Sequence, residues 1–194
     1  MVKTQKLTTP DLVLLSLLAE RPMHAYAANA ELERREVRDW AGISRPQVYY
    51  SLDKLLRLGL VRTVESDQPQ LGPDRRVVAT TARGREALAS ALERDDWAEQ
   101  RERPPFLTWM ALSWLARPGV VKCQLQRRRK YLDQQLSRER ATLRAVLNEV
   151  GHESHEAVWM IKLMIAHFET ELRWLGEVER DLARRRKALH PPKD

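Results

Sequence analysis

The chain has 194 residues, 43% of them hydrophobic and 31% charged, with a formal net charge of +7. That length allows one domain or two small ones with a real core, and only seven glycines among abundant Leu, Ala, Arg and Glu favour helices. No apolar stretch approaches the ~18 residues of a membrane span, MVKTQKLTTPD lacks a signal-peptide core, and a lone cysteine, Cys123, excludes an internal disulfide, so the expected setting is the cytoplasm.

The first element is TPDLVLLSLLAE, with Thr9 as its N-cap and Pro10 at the first helical position. Leu12, Leu15, Leu18 and Ala19 recur at helical spacing, Leu14 and Leu17 widen the stripe, and Pro22 ends it. MHAYAANAELERR reads as a second helix, with Tyr26, Ala30 and Leu32 inward and Glu31, Glu33, Arg34 and Arg35 outward. EVRDWAGIS is a short helical turn broken at Gly42. The stretch SRPQVYYSLDKLLRLGLV then opens a longer helix at Ser44, with Val48, Leu52, Leu55 and Leu56 on one face. Gly59 is placed to end it in the left-handed conformation. Beyond it the period changes. LVRTVES (60–66) and RRVVATT (75–81) read as short strands around the turn DQPQLGP, and TARGREALASALER resumes helical spacing.

DDWAEQRERPP (95–105) is charged and closed by two prolines, which marks a boundary. FLTWMALSWLA follows, then two long helical segments, 119–150 and 154–187, joined at GHESH. Val121, Leu125, Leu132, Leu136, Leu143, Val146 and Val150 in the first, and Ile161, Ile165, Phe168, Leu172, Leu175 and Leu182 in the second, form a seam near a seven-residue repeat. Segments of roughly 45–50 Å, at ~1.5 Å per residue, cannot cover both their faces by folding on each other. Trp159, Met160, Leu163, Met164 and Trp174 lie beyond the seam and require a partner, most simply a second copy of the chain.

The basic charge does not by itself locate a partner. Residues 1–95 carry a net +2 and residues 96–194 a net +5, much of it in runs such as RRRK at 127–130 that read as solvated helix faces. The order of elements is more informative. A short helix, a turn, a longer helix and a strand–loop–strand is the order of a winged helix-turn-helix, whose longer helix enters the DNA major groove. Such a helix needs exposed donors in its first turns, and Ser44, Arg45, Gln47, Tyr49 and Tyr50 supply them. Arg45 suits guanine or phosphate, and Gln47 suits adenine. The tyrosine hydroxyls, Lys54 and Arg57 suit backbone phosphate, as do Arg75 and Arg76 beside the wing turn. The expected fold is therefore mainly α with a small β-wing. A winged helix-turn-helix DNA-binding domain occupies residues 1–95, a linker 96–105, and an antiparallel helical dimerisation domain 106–194. The competing reading is a helical adaptor that keeps a winged-helix domain for protein contacts.

Residues 8–88 resemble the PadR family of bacterial transcription regulators, through LLSLLAERPMHAY, SRPQVYYSLDKLLRLGLV and GPDRRVVATTARGREAL. The chain departs from the usual family pattern with Ala25 where glycine is common, Tyr50 where proline is common, and Val78-Ala79 where a tyrosine often ends the wing strand. The second half resembles the long-tailed branch of that family, most specifically at ETELRWLGEVERDL. The resemblance implies a homodimeric repressor on an inverted-repeat operator in double-stranded DNA, relieved by a small molecule, in some members a phenolic acid or planar drug.

Other chemistry is weaker. Trp109, Trp114, Trp159 and Trp174 are candidates to line a pocket for a small aromatic effector, or to be buried in the helical core and its interface. His152, His155 and His167 lack paired metal-ligand spacing with Cys123, so no metal or other cofactor is expected. No nucleophile–base pair, phosphate loop or carboxylate dyad stands out, and no catalysis is expected.

Overall fold

The computed structural model describes residues 6–64, 76–100, 104–117 and 119–184. The chain divides into two compact units, Met1–Arg101 and Glu102–Asp194. In the first, the elements run α1 (Thr9–Glu20), β1 (Met23–His24), α2 (Ala25–Arg34), α3 (Val37–Ala41), α4 (Arg45–Arg57), β2 (Val61–Val64), β3 (Val77–Thr80), α5 (Ala82–Leu92) and α6 (Asp96–Glu99). The strands form an antiparallel sheet in the order β1-β3-β2, with Val61 opposite Thr80 and Met23 opposite Val78.

The helix α1 is the hub. Leu12, Leu14, Leu15, Leu17 and Leu18 are all buried, because α4, α5 and β3 pack around it. Its N-cap is Thr8 rather than Thr9: the Thr8 N–H donates to Asp11 Oδ2 at 2.7 Å, closing a capping box one residue earlier than expected. The sheet is pinned to α1 by the Thr80 hydroxyl, which donates to the Leu15 carbonyl at 2.8 Å.

The segment after Pro22 departs from the helical reading. Met23 and His24 pair with β3, so α2 starts only at Ala25. With Met23 held in the sheet, Ala28, Asn29, Glu31 and Leu32 turn inward, while Tyr26 is 73% exposed and Ala30 faces outward. The end of α4 follows expectation. Gly59 has φ +66°, its N–H donates to the Leu56 carbonyl, and the Leu60 N–H reaches back to the Leu55 carbonyl at 3.0 Å. Those two bonds satisfy carbonyls the helix leaves open, and Leu55 and Leu60 meet in the core. Gly84, in the first turn of α5, is a packing requirement, because a Cβ there would lie 2.0 Å from the Leu60 carbonyl oxygen.

The segment 96–105 is partly helical: α6 occupies Asp96–Glu99, and Pro105 already opens the next helix. The second unit comprises α7 (Pro105–Leu112), a 3-10 turn at Ser113–Leu115, α8 (Val120–Val150) and α9 (Glu156–Asp181), followed by a 3-10 turn at Leu182–Arg184. The long helices, 31 and 26 residues, form an antiparallel hairpin reversed at Gly151. Val121, Leu125, Leu132 and Leu175 make its core, with Phe106, Trp109, Phe168, Leu172 and Trp174 packed against them. The RRRK run is not merely solvated: Arg128 donates twice to Glu171 (both 2.7 Å) and Arg129 to Glu179 (2.7 and 3.3 Å), across the hairpin. Among the described residues, no helix is long and apolar enough to cross a membrane.

Candidate nucleic-acid interface

The helix α4 is built to show one face. Ser44 caps it: its N–H and hydroxyl donate to Gln47 Oε1 at 2.8 and 2.9 Å. Pro46 sits in the first turn, where its missing N–H costs nothing. Val48, Ser51, Lys54 and Leu55 are buried. Ser44, Arg45, Gln47, Tyr49, Tyr50 and Arg57 are exposed, Tyr50 at 66%. A phenol that open does not serve the core, and Tyr49 is likewise exposed.

Three of the expected site residues have other employment. Gln47 uses its amide oxygen for the cap, so the acceptor that adenine readout requires is already occupied. Ser44 is held in the same capping box. Lys54 is not a phosphate contact: it is 6% exposed, and its Nζ donates to Asp11 Oδ2 at 2.5 Å and to the Lys6 carbonyl at 3.5 Å. Asp11 is fully buried on α1, and a lysine stem threaded along the apolar back of α4 is what reaches it. Burial raises the Asp11 carboxyl, but hydrogen bonds from Lys54, Thr8 and Ser51 outweigh it and hold the group below its ordinary value. The pair fixes α4 against α1, so Lys54 positions the presented face from behind.

Arg76 is exposed immediately before β3, and Arg75 lies outside the described residues. The sequence reading missed a cluster beside the N-terminus of α4. Glu33, exposed on α2, has Oε2 3.7 Å from Arg45 Nη2 and Oε1 4.0 Å from Arg38 Nε. Arg38 Nη2 donates to Asn29 Oδ1 at 3.2 Å, and the buried Asn29 amide donates to the Ala25 carbonyl at 3.2 Å. The charges of Glu33 and Arg38 were legible, but their convergence on Arg45 depends on how three helices meet.

The four tryptophans do not share one pocket. Trp109 and Trp174 both pack on Phe106, at 5.2 and 6.4 Å between ring centroids, and so belong to the core of the second unit. Trp114 is half-exposed, and Trp159 lies about 22 Å along α9 from Trp174 at ~1.5 Å per residue. An open groove of about 540 Å³ on α8 is lined by Gln126, Arg129, Lys130, Asp133, Gln134 and Ser137, without any of them. Among the described residues, no three His, Cys, Asp or Glu side chains gather as metal ligands.

Residues 14–90 match the family model of the PadR-like transcriptional regulators. Over these residues the chain is similar to the PadR-like family. The match spans α4, the strands and nearly all of α5, so Arg45, the tyrosines and Arg76 all lie within the matched residues. The fold of the chain is similar to that of Bacillus subtilis PadR in complex with operator DNA, at 14% identity and TM-score 0.70, covering 88% of this chain and 97% of that one. It is also similar to the PadR-like transcriptional regulator BC1756 from Bacillus cereus (17%, 0.67, covering 92% and 100%). Bacillus subtilis PadR in complex with p-coumaric acid matches at 15% and 0.56, covering 88% and 93%. No curated protein matches the chain.

Proposed function

We propose that the protein is a sequence-specific DNA-binding transcriptional regulator: a homodimeric, ligand-responsive repressor of an inverted-repeat operator. The observation that carries this reading is α4 itself. Its back is locked into the core by Val48, Leu55 and the Lys54–Asp11 pair, while Arg45, Tyr49, Tyr50 and Arg57 project from the front. A rigid helix with donors on its outer face is what major-groove docking requires. In this reading Arg45 reads a base edge, and the tyrosines, Arg57, Arg75 and Arg76 hold phosphate. Support for DNA as the partner comes from the PadR-like match and from the fold shared with PadR on its operator.

The dimer reading is supported by the second unit, where Leu107, Leu112, Trp114, Leu115, Trp159 and Leu163 remain exposed. Large apolar side chains in such number on one small unit are the mark of an interface. The effector is proposed as a planar aromatic acid, on the likeness to PadR with p-coumaric acid.

A mobility-shift titration with the DNA upstream of its own coding sequence tests the reading. A discrete complex that weakens steeply with salt supports it. Arg45→Ala should narrow the gap between operator and random DNA, whereas Arg76→Ala should weaken both alike. Absence of a specific complex at moderate salt favours the adaptor. Calorimetry against a panel of planar aromatics tests the effector, and silence across the panel removes it.

A further inference from the structure

We propose that Glu33 is a specificity-determining positioning residue: it holds the Arg45 guanidinium for base reading and suppresses binding to arbitrary phosphate. The inference rests on the DNA-binding reading above and deepens it. The structure contains a relay through three helices. The buried Asn29 on α2 accepts from Arg38 on α3, Arg38 faces Glu33, and Glu33 faces Arg45, the first residue of α4. Arg38 Nε is buried without a hydrogen-bond partner, and the Glu33 carboxylate lies 4.0 Å from it. Glu33 therefore lies between two arginines at the end of the helix where base contacts are made.

The arrangement has two consequences. An arginine loses much rotamer freedom when it docks. A carboxylate on one edge of Arg45 restricts it beforehand and leaves the other edge of the planar fork free. At 3.7 Å the pair is loose enough to be exchanged for a base. Meanwhile a negative charge on a DNA-facing surface repels phosphate, so a site without the right base gains little. A helix-turn-helix designed for affinity alone would omit Glu33.

The test uses the full chain and a duplex enriched by it from random DNA. Dissociation constants for that duplex and a scrambled one are measured across a salt series for wild type, Glu33→Gln, Glu33→Asp, Arg45→Ala and the Glu33→Gln/Arg45→Ala double variant. Glu33→Gln should bind scrambled DNA more tightly, with a salt slope steeper by about one phosphate contact. Its specificity ratio should fall roughly two- to fivefold, the range of an exposed ion pair. Glu33→Asp keeps the charge but shortens the reach, so scrambled-DNA affinity should stay low while the ratio still falls. With Arg45 already removed, Glu33→Gln should leave the ratio unchanged. A Glu33→Gln variant with the wild-type ratio, or an equal fall in the Arg45→Ala background, overturns the role of Glu33. Failure to enrich any duplex overturns the DNA-binding reading itself.

Discussion

In the winged unit α1 is enclosed on nearly every side, and Leu14, Leu15, Leu32, Val48 and Leu55 are all essentially inaccessible. In the hairpin unit the enclosed apolar set is smaller, Val121, Leu125, Leu132, Leu136, Val158, Ile161 and Leu175, while Trp159 stands 56% exposed. The difference is geometric. A helix with a sheet and other helices around it can bury its whole circumference, whereas two long antiparallel helices bury one seam. The winged unit completes its core alone. Ion pairs also cross the hairpin, Arg128 with Glu171, Arg129 with Glu179 and Arg140 with Glu169.

The largest expected effect is on the winged unit. Lys54→Met leaves Asp11 charged and buried without its cation, and should destabilise that unit by about 3–5 kcal/mol, read by urea unfolding. An unchanged midpoint would mean that the core does not depend on the pair. On the hairpin of the proposed homodimer, Trp159→Glu with Leu163→Glu should weaken self-association at least about tenfold, ~1.4 kcal/mol, in sedimentation, while the unfolding of the winged unit stays put. A smaller change, Thr81→Ala, removes the hydroxyl that accepts from the Gly84 N–H at 3.0 Å and should cost about 1 kcal/mol.

The gentlest test is acid. Hydrogen bonds from Arg34 and Arg35 lower the Glu31 carboxyl from 4.5 to about 2. Because the folded value is the lower, its stabilisation is complete above the unfolded value near 4.5 and disappears as pH falls through about 2. Asp11 and Glu20 are shifted in the same direction. Acid unfolding monitored by circular dichroism should therefore show the winged unit losing stability over that window, and Glu31→Gln should flatten its slope.

Much of the candidate site was legible locally. Ser44, Pro46 and Gly59 mark the ends of α4 through backbone rules that need no neighbours, and the 3.6-residue period assigns Val48 and Leu55 to its back. The same period puts Lys54 beside Ser51 and Leu55 on the buried face, but its charge suggested the outside. Only the approach of α1, 43 residues earlier, supplies the carboxylate that allows it in. Gln47 is a similar case: an exposed amide next to Arg45 looks like a base reader until its oxygen is seen in the cap. The strand β1 was invisible because two residues carry no period.

The sequence alone determined the longer helices, the two wing strands and the outward placement of Arg45, Tyr49, Tyr50 and Arg57 on α4, because capping, turns and amphipathic spacing act within a few residues. Tertiary structure decided which charges those elements keep for themselves. Lys54 went to Asp11 and Arg38 to Asn29, and Glu33 came to face Arg45, since an ion pair depends on distances in space that the spacing along a chain does not specify.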